Sequence, residues 1–123
     1  MARISKKTFA GTYTHRRGWG YEKWIENIPE YCGKILHVEG GKKGSLHFHM
    51  NKTETMYLQN GRINLILIDS DKGEEYTVEL FPGDSILIPR GQVHQICALQ
   101  TSDLFEFSTI HEEKDSIRIR KGD

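Results

Sequence analysis

Four residues in this chain have the types and spacing of a metal site. His47 and His49 occupy alternate positions of LHFHM. Strand side chains repeat with period two, so both imidazoles would leave the sheet from one face. Glu54 follows five positions after His49 and adds a charged oxygen from the next strand, provided the chain reverses at Asn51-Lys52. His94 comes much later, in PRGQVHQI, and offers a third imidazole. Each signal alone is weak, because HxH on a strand can be no more than a polar face. Together, three imidazoles and one carboxylate suit a divalent ion such as Mn, Fe, Zn, Ni or Co, with roughly one to three positions left for water or a substrate oxygen. Each ring must then donate its other N–H to a carbonyl or carboxylate.

Short strands must position such a set. Residues 31–39 (YCGKILHVE) read as the first clear strand, with Cys32, Lys34, Leu36 and Val38 on one face and Ile35 and His37 on the other. His37, alone between apolar neighbours, reads as a packed imidazole with one hydrogen bond. GGKKG is a turn, and residues 45–50 and 53–59 after it are two short strands on either side of the Asn51-Lys52 reversal. Asn60-Gly61 reads as a hairpin signal before a strand over 62–69, since both residues tolerate positive φ. Further strands are expected over 75–80, 85–88, 93–98 and 103–110, separated by turns at Phe81-Pro82-Gly83-Asp84 and Pro89-Arg90-Gly91. Residues 8–14 could add an edge strand, as could Ile117-Arg118-Ile119-Arg120, whose charges would protect an edge from aggregation. Trp19, Tyr21 and Trp24 cluster before Pro29 and read as core or a subunit contact. No segment shows a clean 3.6-residue apolar period. About ten short strands punctuated by glycine turns predict an all-β antiparallel sandwich or barrel.

The 123 residues suffice for one domain, and 17 basic against 17 acidic residues give no net charge. That balance recommends neither nucleic acid nor an anionic membrane as partner, with Lys6-Lys7 and Arg16-Arg17 read as ordinary surface. Cys32 and Cys97 form no CxxC pair and read as free thiols, which fits reducing, cytoplasmic conditions. No stretch has the apolar length of a secretion signal or a transmembrane helix.

The same residues carry a resemblance. Gly41, His47, His49, Glu54 and Gly61 match the first cupin motif, with its four-residue option before the glutamate. Gly83, Pro89, Gly91 and His94 match the second, whose closing asparagine is replaced by Ala98. The chain therefore resembles a small single-domain cupin, and IPRGQVHQI and LFEFST are closest in texture to the cupin domain of the mannose-6-phosphate isomerase family. The resemblance implies a double-stranded β-helix, a jelly-roll barrel of antiparallel strands with the metal between two sheets, often a homodimer. It divides the chain into an N-terminal arm with edge strands (1–30), the barrel (31–110) and a charged C-terminal tail (111–123).

What such a site would do depends on residues beyond the ligands. An isomerase or epimerase acting on a sugar or sugar phosphate would have the metal polarise a carbonyl while a base moves the neighbouring proton. Glu106, in LFEFST, is the expected base, and Tyr57 and Lys34 are candidates to meet the developing oxyanion. Arg90 and Lys34 are candidate anchors for a phosphate. An Fe(II)-dependent dioxygenase acting on a small organic substrate would use the open positions differently. A third reading is a non-catalytic cupin that binds a small molecule or sugar, with Phe48, Met50, Met56 and Trp24 making a partly apolar pocket.

Overall fold

A computed structural model describes residues 1–4 and 14–123. The chain is all-β there, with nine strands and one 3-10 turn: β1 (Thr14–Arg17), β2 (Gly20–Ile28), β3 (Tyr31–Val38), β4 (Leu46–His49), β5 (Glu54–Ile68), β6 (Glu75–Leu80), β7 (Ser85–Ile88), β8 (His94–Ser108), the turn Glu113–Asp115 and β9 (Ser116–Arg120). Every pairing is antiparallel. The strands run β1-β2-β3-β8-β4-β9, and β5 joins β8 to β6 and β7. This curled sheet is the architecture expected of a double-stranded β-helix. The edge strand expected over residues 8–14 lies outside the described residues except for Thr14, which opens β1; Lys6-Lys7 also lies outside them.

Two 15-residue strands organise the sheet, where four shorter ones were expected. Asn60-Gly61 does not turn a hairpin: β5 passes straight through it, and β8 likewise runs on from His94 to Ser108. The local chemistry of the dipeptide is nonetheless used. Gly61 has φ of 92°, and the β5–β8 register shifts between Leu58 and Ile63. Positive φ serves a bulge as well as a turn, so the pair bends both strands together. Ser102 sits against the bend, its Oγ accepting the Arg62 N–H at 3.0 Å, and a Cβ on Gly61 would collide with it.

Because of that bend, the two ends of the β5–β8 ribbon meet. His94 pairs by register with Leu67, about 40 Å along an extended strand from Glu54. Yet Glu54 Oε1 lies 2.9 Å from His94 Nε2. Closing the ribbon creates an interior in two parts. One is apolar, centred on Leu58, Ile63, Leu65 and Leu104, all with 0 % exposure. Alternation on β3 is as expected: Cys32, Lys34, Leu36 and Val38 are buried between less buried neighbours. The other part is polar and holds the histidines.

Residues 117–120 do form an edge strand. β9 lies against β4 with His49 opposite Ser116 and His47 opposite Arg118, so the charged end of the chain walls the site.

Candidate metal centre

β4 presents His47 and His49, and the start of β8 presents His94, which lies directly opposite His47 in the β4–β8 pairing. One ring nitrogen from each lies within 4.8 Å of the other two. The strand period predicted this convergence for the first pair; the sheet order supplies the third ring.

Hydrogen bonds settle which nitrogen each ring offers. His47 Nδ1 meets the Ser45 carbonyl at 3.0 Å, His49 Nδ1 the Asp115 carbonyl at 3.2 Å, and His94 Nδ1 the Gln92 carbonyl at 2.8 Å. A carbonyl only accepts, so each Nδ1 carries the hydrogen and each ring, when neutral, keeps its lone pair on Nε2. This is the arrangement that metal-binding imidazoles need. Burial, followed by the nearness of His94, pushes His47 down to about 3 and keeps that ring neutral. Burial also lowers His49, with Lys52 next in effect.

Glu54 closes the set. Its Oε1 is 2.9 Å from His94 Nε2, its Oε2 is 3.9 Å from His49 Nε2, and the residue is 2 % exposed. Despite that proximity, His94 Nε2 and both Glu54 oxygens make no well-aligned hydrogen bond among the described residues, although Lys52 Nζ is ion-paired with Oε2. Buried polar atoms left this way are costly, and a cation would satisfy His94 Nε2 and Glu54 Oε1 at once. Burial opposes charge on His94, but the Glu54 carboxylate outweighs it and raises that ring. The donor set therefore fits a divalent transition-metal ion.

The site opens into a cavity of about 360 Å³, at the small end of the range for ligand pockets. Lys34 and Glu106 line it. Lys34, 3 % exposed, lies 3.5 Å from Glu22 and 4.5 Å above the Trp24 ring. Glu106, 5 % exposed, accepts a hydrogen bond from Lys52 Nζ at 2.9 Å. Lys52 also stands 3.1 Å from Glu54 Oε2. One ammonium cannot compensate two buried carboxylates. Burial first, and the Glu54 charge second, hold Glu106 above the usual carboxylate range, while the two carboxylates together keep Lys52 charged.

Two candidates lie elsewhere. Tyr57 is an odd number of positions from Glu54 and so points to the outer face of β5, where it stacks on Phe105 at 6.0 Å. Arg90 is exposed, and its Nε donates to the Asn51 carbonyl at 2.9 Å, outside the cavity. Nor is the pocket partly apolar in the way expected: Met50 is 55 % exposed, and of that group only Met56 lines the cavity. His37 is the packed ring expected, bonded to Asp103 at 2.6 Å and stacked on Tyr21.

Four residues in or beside the cavity belong to no motif in the sequence. Lys52 and His111 touch at 3.1 Å, Glu22 holds Lys34, and Asp115 holds the chain after His49. Same-face spacing is a usable signal for Lys52 with Glu54 and for Glu22 with Trp24. His111 and Asp115 carry none, because the tail docks by tertiary contacts.

The sequence profile of the cupin family matches residues 38–120. No curated protein matches the chain. Among solved structures, a variant of oxalate decarboxylase from Bacillus subtilis superposes with a TM-score of 0.79 at 18% identity, covering 97% of this chain and 34% of its own. This chain thus spans about a third of that protein's length. The same Bacillus subtilis protein has Mn(II) centres. KdgF from Halomonas sp. gives a TM-score of 0.65 at 21% identity, covering 76% of this chain and 81% of its own. Neither neighbour is a mannose-6-phosphate isomerase, so the narrower likeness read from the sequence gains no support from them.

Proposed function

The chain belongs to the cupin family, and on that premise we propose that it is a metal-dependent enzyme acting on a small, oxygen-rich organic anion. His47, His49, His94 and Glu54 would hold the ion, which when bound supplies a Lewis acid beside the cavity. The observation carrying this reading is the set of three Nδ1–H groups tied to carbonyls, with the three remaining ring nitrogens clustered and His47, His49 and Glu54 lining the cavity.

Charge supports the anionic substrate. Among the buried side chains that line the cavity, Lys34 and Lys52 stand with Glu22, Glu54 and Glu106, two ammonium groups against three carboxylates; Asp115, also buried, is turned to backbone amides outside that lining. A divalent ion converts that deficit of one into an excess of one, which a substrate carboxylate or phosphate would cancel. Oxalate, in the name of a structural neighbour, is an anion of this kind. Within the cavity, Lys34 would bind the anionic group and Glu106 would hold or release the proton that moves. Lys52 would keep Glu106 in place. Sugar acids, sugar phosphates and short dicarboxylates all fit this description, and an isomerase-type proton shift is the reaction that Glu106 would serve.

A second reading rests on Glu54. It is engaged by Lys52, and the three imidazoles cluster without it. If Glu54 stays with Lys52, three ligands leave room for both a substrate and dioxygen on Fe(II), as in an oxygenase acting on a small organic compound.

The experiment is metal identification on protein purified without added metal, then a panel of small carboxylates and sugar phosphates followed by NMR and an oxygen electrode. The proposal expects product from an anionic substrate, without oxygen uptake, and a roughly 10²–10⁴-fold lower rate in Glu106→Gln at unchanged metal content. Oxygen consumption with bound iron would favour the second reading. No turnover of any anion would overturn the first reading.

A further inference from the structure

The three imidazoles are not oriented in the same way. His47 and His94 each donate Nδ1–H to a carbonyl two positions earlier in their own segment, Ser45 and Gln92. His49 reaches 66 positions along the chain, to the carbonyl of Asp115. The same Asp115 also binds the residues that follow His49. Its Oδ1 accepts the Met50 N–H at 3.0 Å, and its two oxygens accept the Asn51 N–H at 3.2 and 3.1 Å. These amides lie just past the end of β4, where no ladder partner remains for them. Asp115 is 8 % exposed, and among the described residues its carboxylate meets amides rather than a lysine or arginine. Beside it, β9 fixes His49 opposite Ser116.

We infer that Asp115 is a positioning residue of the metal centre: from the C-terminal segment it clamps the exit of β4 and fixes the tautomer and aim of His49. Side chain and backbone of one residue hold the same three-residue stretch, so releasing the side chain frees the carbonyl that orients the ring. Residues 113–116, the turn that carries Asp115 and the start of β9, are on this account part of the centre. The inference rests on the metal reading for one of its two readouts.

The test uses the full chain with 15N-labelled histidine, comparing wild type, Asp115→Ala, Asp115→Asn and the exposed β9 control Ile119→Ala. NMR reports the tautomer and N–H protection of each ring, and titration with Co(II) reports affinity and the visible ligand-field spectrum. Asp115→Ala should leave His47 and His94 unchanged, give His49 mixed tautomers and a rapidly exchanging Nδ1–H, and weaken Co(II) about 10–100-fold with an altered spectrum. Asp115→Asn, which keeps one acceptor oxygen, should fall between, and it carries the test if the alanine variant does not fold. A folded variant with the wild-type His49 tautomer overturns the inference, as does Co(II) affinity equal to wild type or equally weakened in Ile119→Ala. If wild type itself binds no Co(II), the metal reading fails, and the His49 tautomer alone decides for or against Asp115.

Discussion

The β5–β8 ribbon runs through two interiors that are equally hidden from solvent and held by opposite means. Leu58, Ile63, Leu65 and Leu104 have 0 % exposure, and each contributes about 1.5–3 kcal/mol by leaving water. Glu54, His94 and Glu106 are 2, 0 and 5 % exposed, and burying the charged form of such groups costs several kcal/mol per ion before pairing offsets it. The middle of the ribbon therefore stabilises the fold, while its two meeting ends are carried by it. Stability and chemistry should then respond to different substitutions.

The sharpest break is expected at Lys52, which stands between two buried carboxylates. Lys52→Met should destabilise the metal-free protein by about 3–5 kcal/mol in urea unfolding, because it leaves both uncompensated. Adding Glu106→Leu should recover much of that loss. A single variant as stable as wild type would show that the polar part is wetter than its burial implies. In the apolar part, Leu65→Ala should cost about 2–4 kcal/mol through the cavity it leaves, with metal bound per folded chain unchanged. Metal loss in the folded variant would mean that the two interiors are mechanically one.

A smaller effect is expected at Glu22, at the rim of the polar part. Burial alone would raise its carboxyl, but Lys34, the Trp24 indole and Arg17 outweigh it and hold it at about 2. The folded value lies below the unfolded one, so its contribution is complete above about pH 4.5 and is lost as pH falls toward 2. Glu22→Gln should remove up to about 1.4 kcal/mol per pH unit from the acid limb of stability, and leave stability above pH 6 with no added slope. Parallel acid limbs in the two proteins would contradict that.

The same division explains what could be read from the sequence. Alternation exposed the HxH pair and the shared face of β3, because a strand's period is a local property, whereas Glu106 is picked out by the resemblance of its segment. The same rule, applied from Glu54, sends Tyr57 outward, so parity along β5 by itself argues against a place for that residue in the site. Asn60-Gly61 misled for a physical reason: a positive φ is needed equally by a hairpin and by a bulge, and only the partner strand decides. Arg90 sits next to a motif but on a turn, where strand parity says nothing. His111 and Asp115 enter the site through a C-terminal segment that looks like a charged tail until β9 is seen against β4.

The central claim is that His47, His49 and His94 turn the polar part into a metal site, and elemental analysis with Zn(II) and Mn(II) titration tests it most directly. Wild type is predicted to bind one divalent ion per chain. The His47→Ala/His49→Ala/His94→Ala variant should remain folded, retain the apolar interior and bind none. A folded triple variant that still loads one equivalent would contradict the account.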